Sequence, residues 1–371
     1  MKLLLHFCIL YALTYSANAV AKPCNNEVCK RENDCACAST WSPIKNTSTP
    51  QFVTFTIDDG VTALNYDQYY SKAFFNRKNP DGKPISATFF VPHQSTDYEK
   101  VNMLYNKGFV IGSHSVSKYP VEYWQDATVE ILTQEFGDSR KIISKYANIS
   151  IEDIVGARTP HLELAGDNSF QAYTQAGIKY DNSFVSLSGV HLFPFTLDYA
   201  IGYDCVVGTC PVESYPHFWV LPIINLKGKY GYECNALFGC QITGSAEEIS
   251  NWLIQQFHAI YDTSKAPISY LINAVWFQAV ENSYEAFEMF LNYLGTKKDV
   301  FLVSHDEVIA WSRNPVPIEE YESNHRTKSQ SCSAISCTLQ FEVEGILEER
   351  RMRSCVACPS EYPWLGNPDG N

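Results

Sequence analysis

From residue 51 onward, short apolar runs suited to strands alternate with longer stretches of helical spacing, and this alternation limits the fold more than any other feature. Strands are predicted over 51–57, 85–91, 110–112, 154–156, 178–180, 268–273 and 300–303. Helices are predicted over 98–107, 129–146, 168–177, 246–260 and 281–296. Strands joined by helices run parallel, because the helix carries the chain back to the starting end. The chain is therefore expected to be α/β, with a parallel sheet either open or closed. The stretch 203–242 breaks the rhythm, and its Gly, Pro and four cysteines predict a long decorated loop. Residues 22–50, polar and Cys-rich without a period, predict a disulfide-stapled N-terminal arm. Residues 314–371 predict a Pro- and Cys-bearing tail that wraps the body as a C-terminal appendage to the main domain, 51–313.

Residues 1–21 have the anatomy of a secretory signal: Lys2, an apolar stretch from Leu3 to Leu13, then Ser16-Ala17-Asn18-Ala19-Val20-Ala21. The apolar stretch is too short to span a bilayer, and no later run is longer, so a secreted, extracellular chain without membrane insertion is expected. The formal charge, 28 − 41 = −13, argues against nucleic acid as a partner, although solubility alone accounts for it. Twenty-three tyrosines raise the aromatic content to 14%, which suits sugar-stacking platforms as well as a rich core. Without Cys8 of the leader, 13 − 1 = 12 cysteines remain, in three groups of four. Six disulfides are expected, with the pairing open; a zinc cluster at Cys355-Val356-Ala357-Cys358 is the rival that an oxidising compartment disfavours. Asn46-Thr47-Ser48 and Asn148-Ile149-Ser150 are glycosylation acceptors, and a monomer is the default.

The stretch Thr54-Phe55-Thr56-Ile57-Asp58-Asp59-Gly60 reads as a buried strand ending in two carboxylates. Strand side chains alternate faces, so adjacent acids serve one site only where the strand has just turned. Two such acids suit metal binding by one and proton abstraction by the other; a plain Asp-Gly turn is the bland alternative. Asp58, Asp59, His114 and Arg158 all fall just after predicted strands, the rim where parallel barrels place chemistry.

The ordered set Thr56-Ile57-Asp58-Asp59, His114-Ser115, Arg158-Thr159-Pro160 and Trp219 resembles the polysaccharide deacetylase (NodB-homology) family, carbohydrate esterase family 4. Ala87-Thr88-Phe89-Phe90-Val91, Tyr180-Asp181-Asn182-Ser183, Tyr215-Pro216-His217-Phe218-Trp219, Ala266-Pro267 with Ala274-Val275-Trp276, and the tail from Cys355 to Asn367 are similar to its insect chitin deacetylases. The resemblance runs from about residue 23 to the end and is to the short class associated with the gut's peritrophic matrix. It implies a distorted (β/α) barrel, a divalent ion (usually Zn²⁺) and chitin or chitin oligomers as partner. It also implies roles: Asp59 and His114 as metal ligands, Asp58 as base steadied by Arg158, and a backbone N–H near His161 for the oxyanion. Trp219, with Tyr215 and Trp276, would wall the sugar site.

Two positions depart from the family pattern. Its second metal histidine, four residues after the first at a helical spacing that turns both rings to one face, is here Lys118. An ammonium has no lone pair for a metal, and an ion pair from Lys118 to Asp59 is expected to fill the ion's place. The late histidine that would protonate the departing amine is here Asn273, which can only hydrogen bond. His305, in Ser304-His305-Asp306, imitates a bacterial form of the late motif but belongs to the final strand, one strand spacing away. The sequence thus predicts a chitin deacetylase-like protein with weak or absent deacetylation. The other reading is an active metal-dependent enzyme giving chitosan and acetate.

Overall fold

The computed structural model describes residues 19–343 and 345–371. The expected leader lies outside them except for residues 19–21, where Ala21 N donates to Val212 O and Ser214 N to Ala19 O. Strand β1 (Gln51–Asp58) is buried along its whole length, as a central strand covered on both faces must be. Next to it run β2 (Thr88–Val91), β3 (Val110–Ser113), β4 (Gly156–Ala157) and β5 (Tyr180–Asp181), all parallel. Strands β6 (Val185–Ser186), β7 (Phe195–Leu197), β8 (Tyr215–Val220) and β9 (Ile223–Ile224) complete this side: β8 pairs parallel with β5 and antiparallel with β7, and β6 pairs with β9. After the small β10 (Leu226–Lys227) and β11 (Glu233–Cys234) ribbon, β12 (Ile268–Asn273) lies parallel along the other edge of β1. β13 (Val300–Leu302) pairs with Gln51–Val53 and leaves Thr56–Asp58 to β2.

The sheet order is β12-β1-β2-β3-β4-β5-β8-β7, with no ladder joining its ends. It curls far enough that β9 packs beside β12, and Leu162, Val185, Ile223 and Leu271 fill the gap as one apolar cluster. The result is a distorted barrel with a seam closed by side chains rather than by hydrogen bonds. Alternation along β1 decides what faces inward. Thr54, Thr56 and Asp58 point to the barrel interior, where they meet His305 and Arg158. Phe55 points outward, against Tyr270, Phe287 and Phe290 beneath the helices Ala246–Tyr261 and Ser283–Leu294. The first of these helices starts on a reciprocal Ser245–Glu248 cap.

Two expectations need correction. The stretch 203–242 is not only a loop: it contains β8, a full strand of the main sheet. Pro216, which cannot donate to a ladder, and the adjoining register shift at Thr196/Leu197 disguise it. Residues 114–118 are not helical; Ser115 and Lys118 have positive φ (71° and 50°). Three predicted strands begin early, by three residues at 85 and by two at 154 and 178, since Ile85, Ile154 and Ile178 extend the apolar runs ahead of the paired residues.

All twelve cysteines pair within their own sequence groups: Cys24–Cys37, Cys29–Cys35, Cys205–Cys210, Cys234–Cys240, Cys332–Cys355 and Cys337–Cys358. The Cys355/Cys358 zinc alternative is therefore excluded. The tail holds an antiparallel hairpin, β14 (Ile335–Val343) and β15 (Ile346–Ser354), and docks through Cys355 N on Tyr146 O and Tyr362 on the buried His93 ring, 4.6 Å between centroids. No helix among the described residues is long and apolar enough to cross a membrane.

Candidate active site

Asp58 ends β1 facing inward, and Arg158 follows β4 with its side chain wholly buried. The guanidinium donates to Asp58 Oδ1 at 2.5 Å, to Thr56 Oγ1 and Asn182 O at 2.9 Å each, and to Asn182 Oδ1. It also lies over the Phe90 ring, 4.4 Å from the centroid. Burial pushes the Asp58 carboxyl upward; the Arg158 charge and hydrogen bond pull it back without cancelling the rise. That direction suits a group that must accept a proton. One strand below, Asp181 accepts from Ser183 N and Phe184 N and is raised to about 6 by burial.

His114 follows β3, and its Nδ1 lies 2.8 Å from Arg158 O. A carbonyl only accepts, so Nδ1 carries the proton and Nε2 keeps a lone pair. Nε2 faces Asp58 Oδ2 at 4.0 Å. Burial, and next the Lys118 charge, hold the imidazole neutral, with its pKa down to about 3. Asp59 has left the strand with φ 81°, and its Oδ1 is paired with Lys118 Nζ. The expected Lys118–Asp59 ion pair is thus present, with both side chains about one-third exposed, at 29% and 31%.

Sequence reasoning missed the residue that shapes the Lys118 loop. Glu135, fully buried on helix Val129–Ala147, accepts from Val116 N at 2.9 Å, Ser117 N at 3.0 Å, Ser117 Oγ and Tyr123 Oη. Its signal was available: it shares the buried stripe with Leu132, Phe136 and Ser139, where a carboxylate needs partners. Asn273 ends β12 directly beside Asp58 in the ladder, and its Oδ1 caps helix Ala274–Ala279 by accepting from Trp276 N at 3.2 Å. His305 does not reach this rim. It sits deeper in the barrel, beside Thr54 four residues back along β1 from Asp58, with Nε2 3.3 Å from Thr54 Oγ1.

No family model matches the chain. It is 35% identical over 361 residues to chitin deacetylase 8 of Bombyx mori, an alignment covering 95% of this chain and 94% of that protein. It is 30% identical to chitin deacetylase 1 of the same species over 95% of this chain and 69% of the relative. The chain belongs to the chitin deacetylase family. Among solved structures, a putative polysaccharide deacetylase from Mycobacterium smegmatis overlaps 85% of this chain and 100% of its own at 14% identity, with a TM-score of 0.47, too loose to carry an argument.

Three residues expected to line a sugar site of this deacetylase homologue are interior. Trp219 is fully buried, with Nε1 donating to Asp34 Oδ1 at 2.9 Å. Trp276 packs against Phe277 and Phe287, and Tyr215 is buried with its hydroxyl on Asp167 O at 3.0 Å. Side chains this buried expose little ring surface to a sugar, although Tyr215 still borders a cleft with Pro216 and His217. His161 alone of that set is exposed, at φ 59°, with Nε2 3.3 Å from Tyr119 O. The donors also fit a divalent ion poorly. Structural and catalytic zinc sites use at least three protein donors; here Asp59 and His114 Nε2 present lone pairs, and an ammonium faces Asp59 in the third place. Among the described residues the one cluster of three ligand atoms within 4.8 Å is Cys24, Cys29 and Cys37, whose sulfurs are in disulfides.

Proposed function

We propose that this chitin deacetylase homologue is a secreted protein that binds chitin or chitin oligomers and deacetylates them weakly or not at all. The observation that carries the reading is the Lys118 ammonium on Asp59. It supplies three donors and no lone pair, and its charge opposes a cation in the same place. Asn273 deepens the deficit: loss of a general acid typically removes about 10²–10⁴-fold of rate, and an amide has no proton to give. Six disulfides support an oxidising, extracellular setting. Asn46 and Asn148 are the proposed glycan acceptors.

The test is acetate release from chitin oligomers beside retention on chitin beads. Retention without acetate is expected; acetate release at an enzyme's rate ends the proposal. One observation favours a second reading, an active deacetylase with Lys118 or water completing the ion's shell. His114 still turns its Nε2 lone pair toward Asp58, and the Asp58–Arg158 pair is intact. In that case Asp58→Asn abolishes turnover.

A further inference from the structure

A cleft of about 400 Å³ lies at the end of the barrel opposite Asp58, formed by the N-terminal arm, the loop after β6 and the end of helix Ala246–Tyr261. Its wall includes Thr40, Trp41, Ser42, Asn46, His191 and Thr263, with no Asp, Glu, Lys or Arg. The cleft beside it, by contrast, carries Lys30, Arg31, Glu32 and Arg313. The volume falls in the range of small-ligand sites, which run from ~300 to ~1,000 Å³. Lack of formal charge, in a chain with 28 cationic and 41 anionic residues, selects a neutral ligand.

Trp41 gives the cleft its chemistry. It is 82% exposed, whereas Trp124, Trp219, Trp252, Trp276 and Trp311 are buried and Trp364 is half-buried. Leaving the largest apolar side chain in water forgoes the burial that the other tryptophans obtain. Its mounting is firm. Trp41 N donates to Ser39 Oγ at 3.0 Å, Phe193 N donates to Ser39 O at 2.9 Å, and Cys24–Cys37 closes the arm behind it. Neither the indole N–H nor the Thr40 hydroxyl has a hydrogen-bond partner among the described residues, so both are available to a ligand. The opposite wall is fixed too: His191 Nε2 donates to Ser188 O at 2.9 Å, and its Nδ1 meets Ser264 Oγ at 3.0 Å. Asn46 Nδ2 is taken by Thr263 O at 2.7 Å, so the groups left for a ligand are the indole face and N–H and the Thr40 hydroxyl, an uncharged apolar platform with a polar edge that matches a pyranose.

We propose that the Trp41 cleft is a second glycan-binding site, taking an N-acetylhexosamine chain from outside the protein. β1 alone, at ~3.3 Å per residue, sets this cleft apart from the Asp58 rim by a strand's length. It anchors the protein to a glycan without occupying the rim. The proposal rests on the chitin reading above for the choice of sugar.

The test is iodide quenching of tryptophan fluorescence with and without an N-acetylglucosamine oligomer, on wild type, Trp41→Ala and Ser48→Ala. Trp41, exposed and outside the core, should supply nearly all the quenchable signal, and Trp41→Ala should remain folded. Ser48→Ala removes the Asn46 glycan acceptor while keeping Asn46 itself. The oligomer is expected to protect the quenchable signal in both wild type and Ser48→Ala, and Trp41→Ala to bind chitin beads about tenfold more weakly. Bead retention with no protection of Trp41 overturns the second site and leaves the chitin reading standing. Loss of both overturns both. Protection without added oligomer that disappears in Ser48→Ala also overturns it, because the occupant is then the protein's own glycan.

Discussion

The two carboxylates that end β1 stand in different surroundings. Asp58 is held by Arg158, a wholly buried cation that also ties β1 to the tips of β4 and β5 through Thr56 and Asn182. Asp59 is held by Lys118, between two loop residues of positive φ, with solvent on both side chains. Removing one partner of a buried pair strands the other charge, whereas a pair about one-third exposed is solvated by water at little cost. The Asp58–Arg158 pair, the proposed base and its partner, is therefore part of the barrel's own scaffold, while the Asp59–Lys118 pair can change at little cost to the fold. Under the proposed roles, that asymmetry lets a barrel keep the Asp58–Arg158 pair while an amine faces Asp59.

The largest effect expected from this contrast is in Arg158→Met, which should lose about 3–5 kcal/mol of unfolding free energy in urea. A loss below about 1 kcal/mol would put the two halves on the same footing. Next comes pH. Asp181, raised to about 6 by burial, belongs to the Arg158 half. Its folded pKa exceeds the unfolded value of ~3.9, so its contribution is complete at low pH and fades as pH rises through 6. Between pH 4.5 and 7.5, wild type should lose about 2 kcal/mol relative to Asp181→Asn in paired urea titrations. An unchanged difference would mean the carboxyl is not desolvated. Asn273→Ala, which removes the cap of helix Ala274–Ala279, should cost about 1 kcal/mol in the same assay. Smallest of all, Lys118→Met should stay within about 0.5 kcal/mol of wild type; a loss of several would make Lys118 a structural residue.

Much of this arrangement was legible in the chain. β12 spans the predicted 268–273, and β1 differs from its prediction only by Asp58, the residue the site needs at the tip. Period-2 burial and long amphipathic helices are local signals, so they survive without tertiary context. The misses depend on distant partners. The helical spacing of His114 and Lys118 was taken from the family pattern; Glu135, farther along the chain, instead holds the loop through Val116 N and Ser117 N. β8 is hidden by Pro216 and its flanking cysteines, and becomes a strand only because β5 and β7 flank it. Tyr215, Trp219 and Trp276 were placed at a sugar wall by the family resemblance, and residue type does not distinguish a platform from a core. Cysteine grouping was readable, but partner choice within each group was not, since four cysteines allow three pairings.

On the proposed reading, Lys118 on Asp59 denies a divalent ion its third donor. The most direct measurement is elemental zinc per chain, taken on protein dialysed against zinc, for wild type and for Lys118→His with Asn273→His. Far less than one zinc per wild-type chain is expected, and one per chain in the double variant with acetate released from chitin oligomers. One tightly held zinc in the wild type would contradict it.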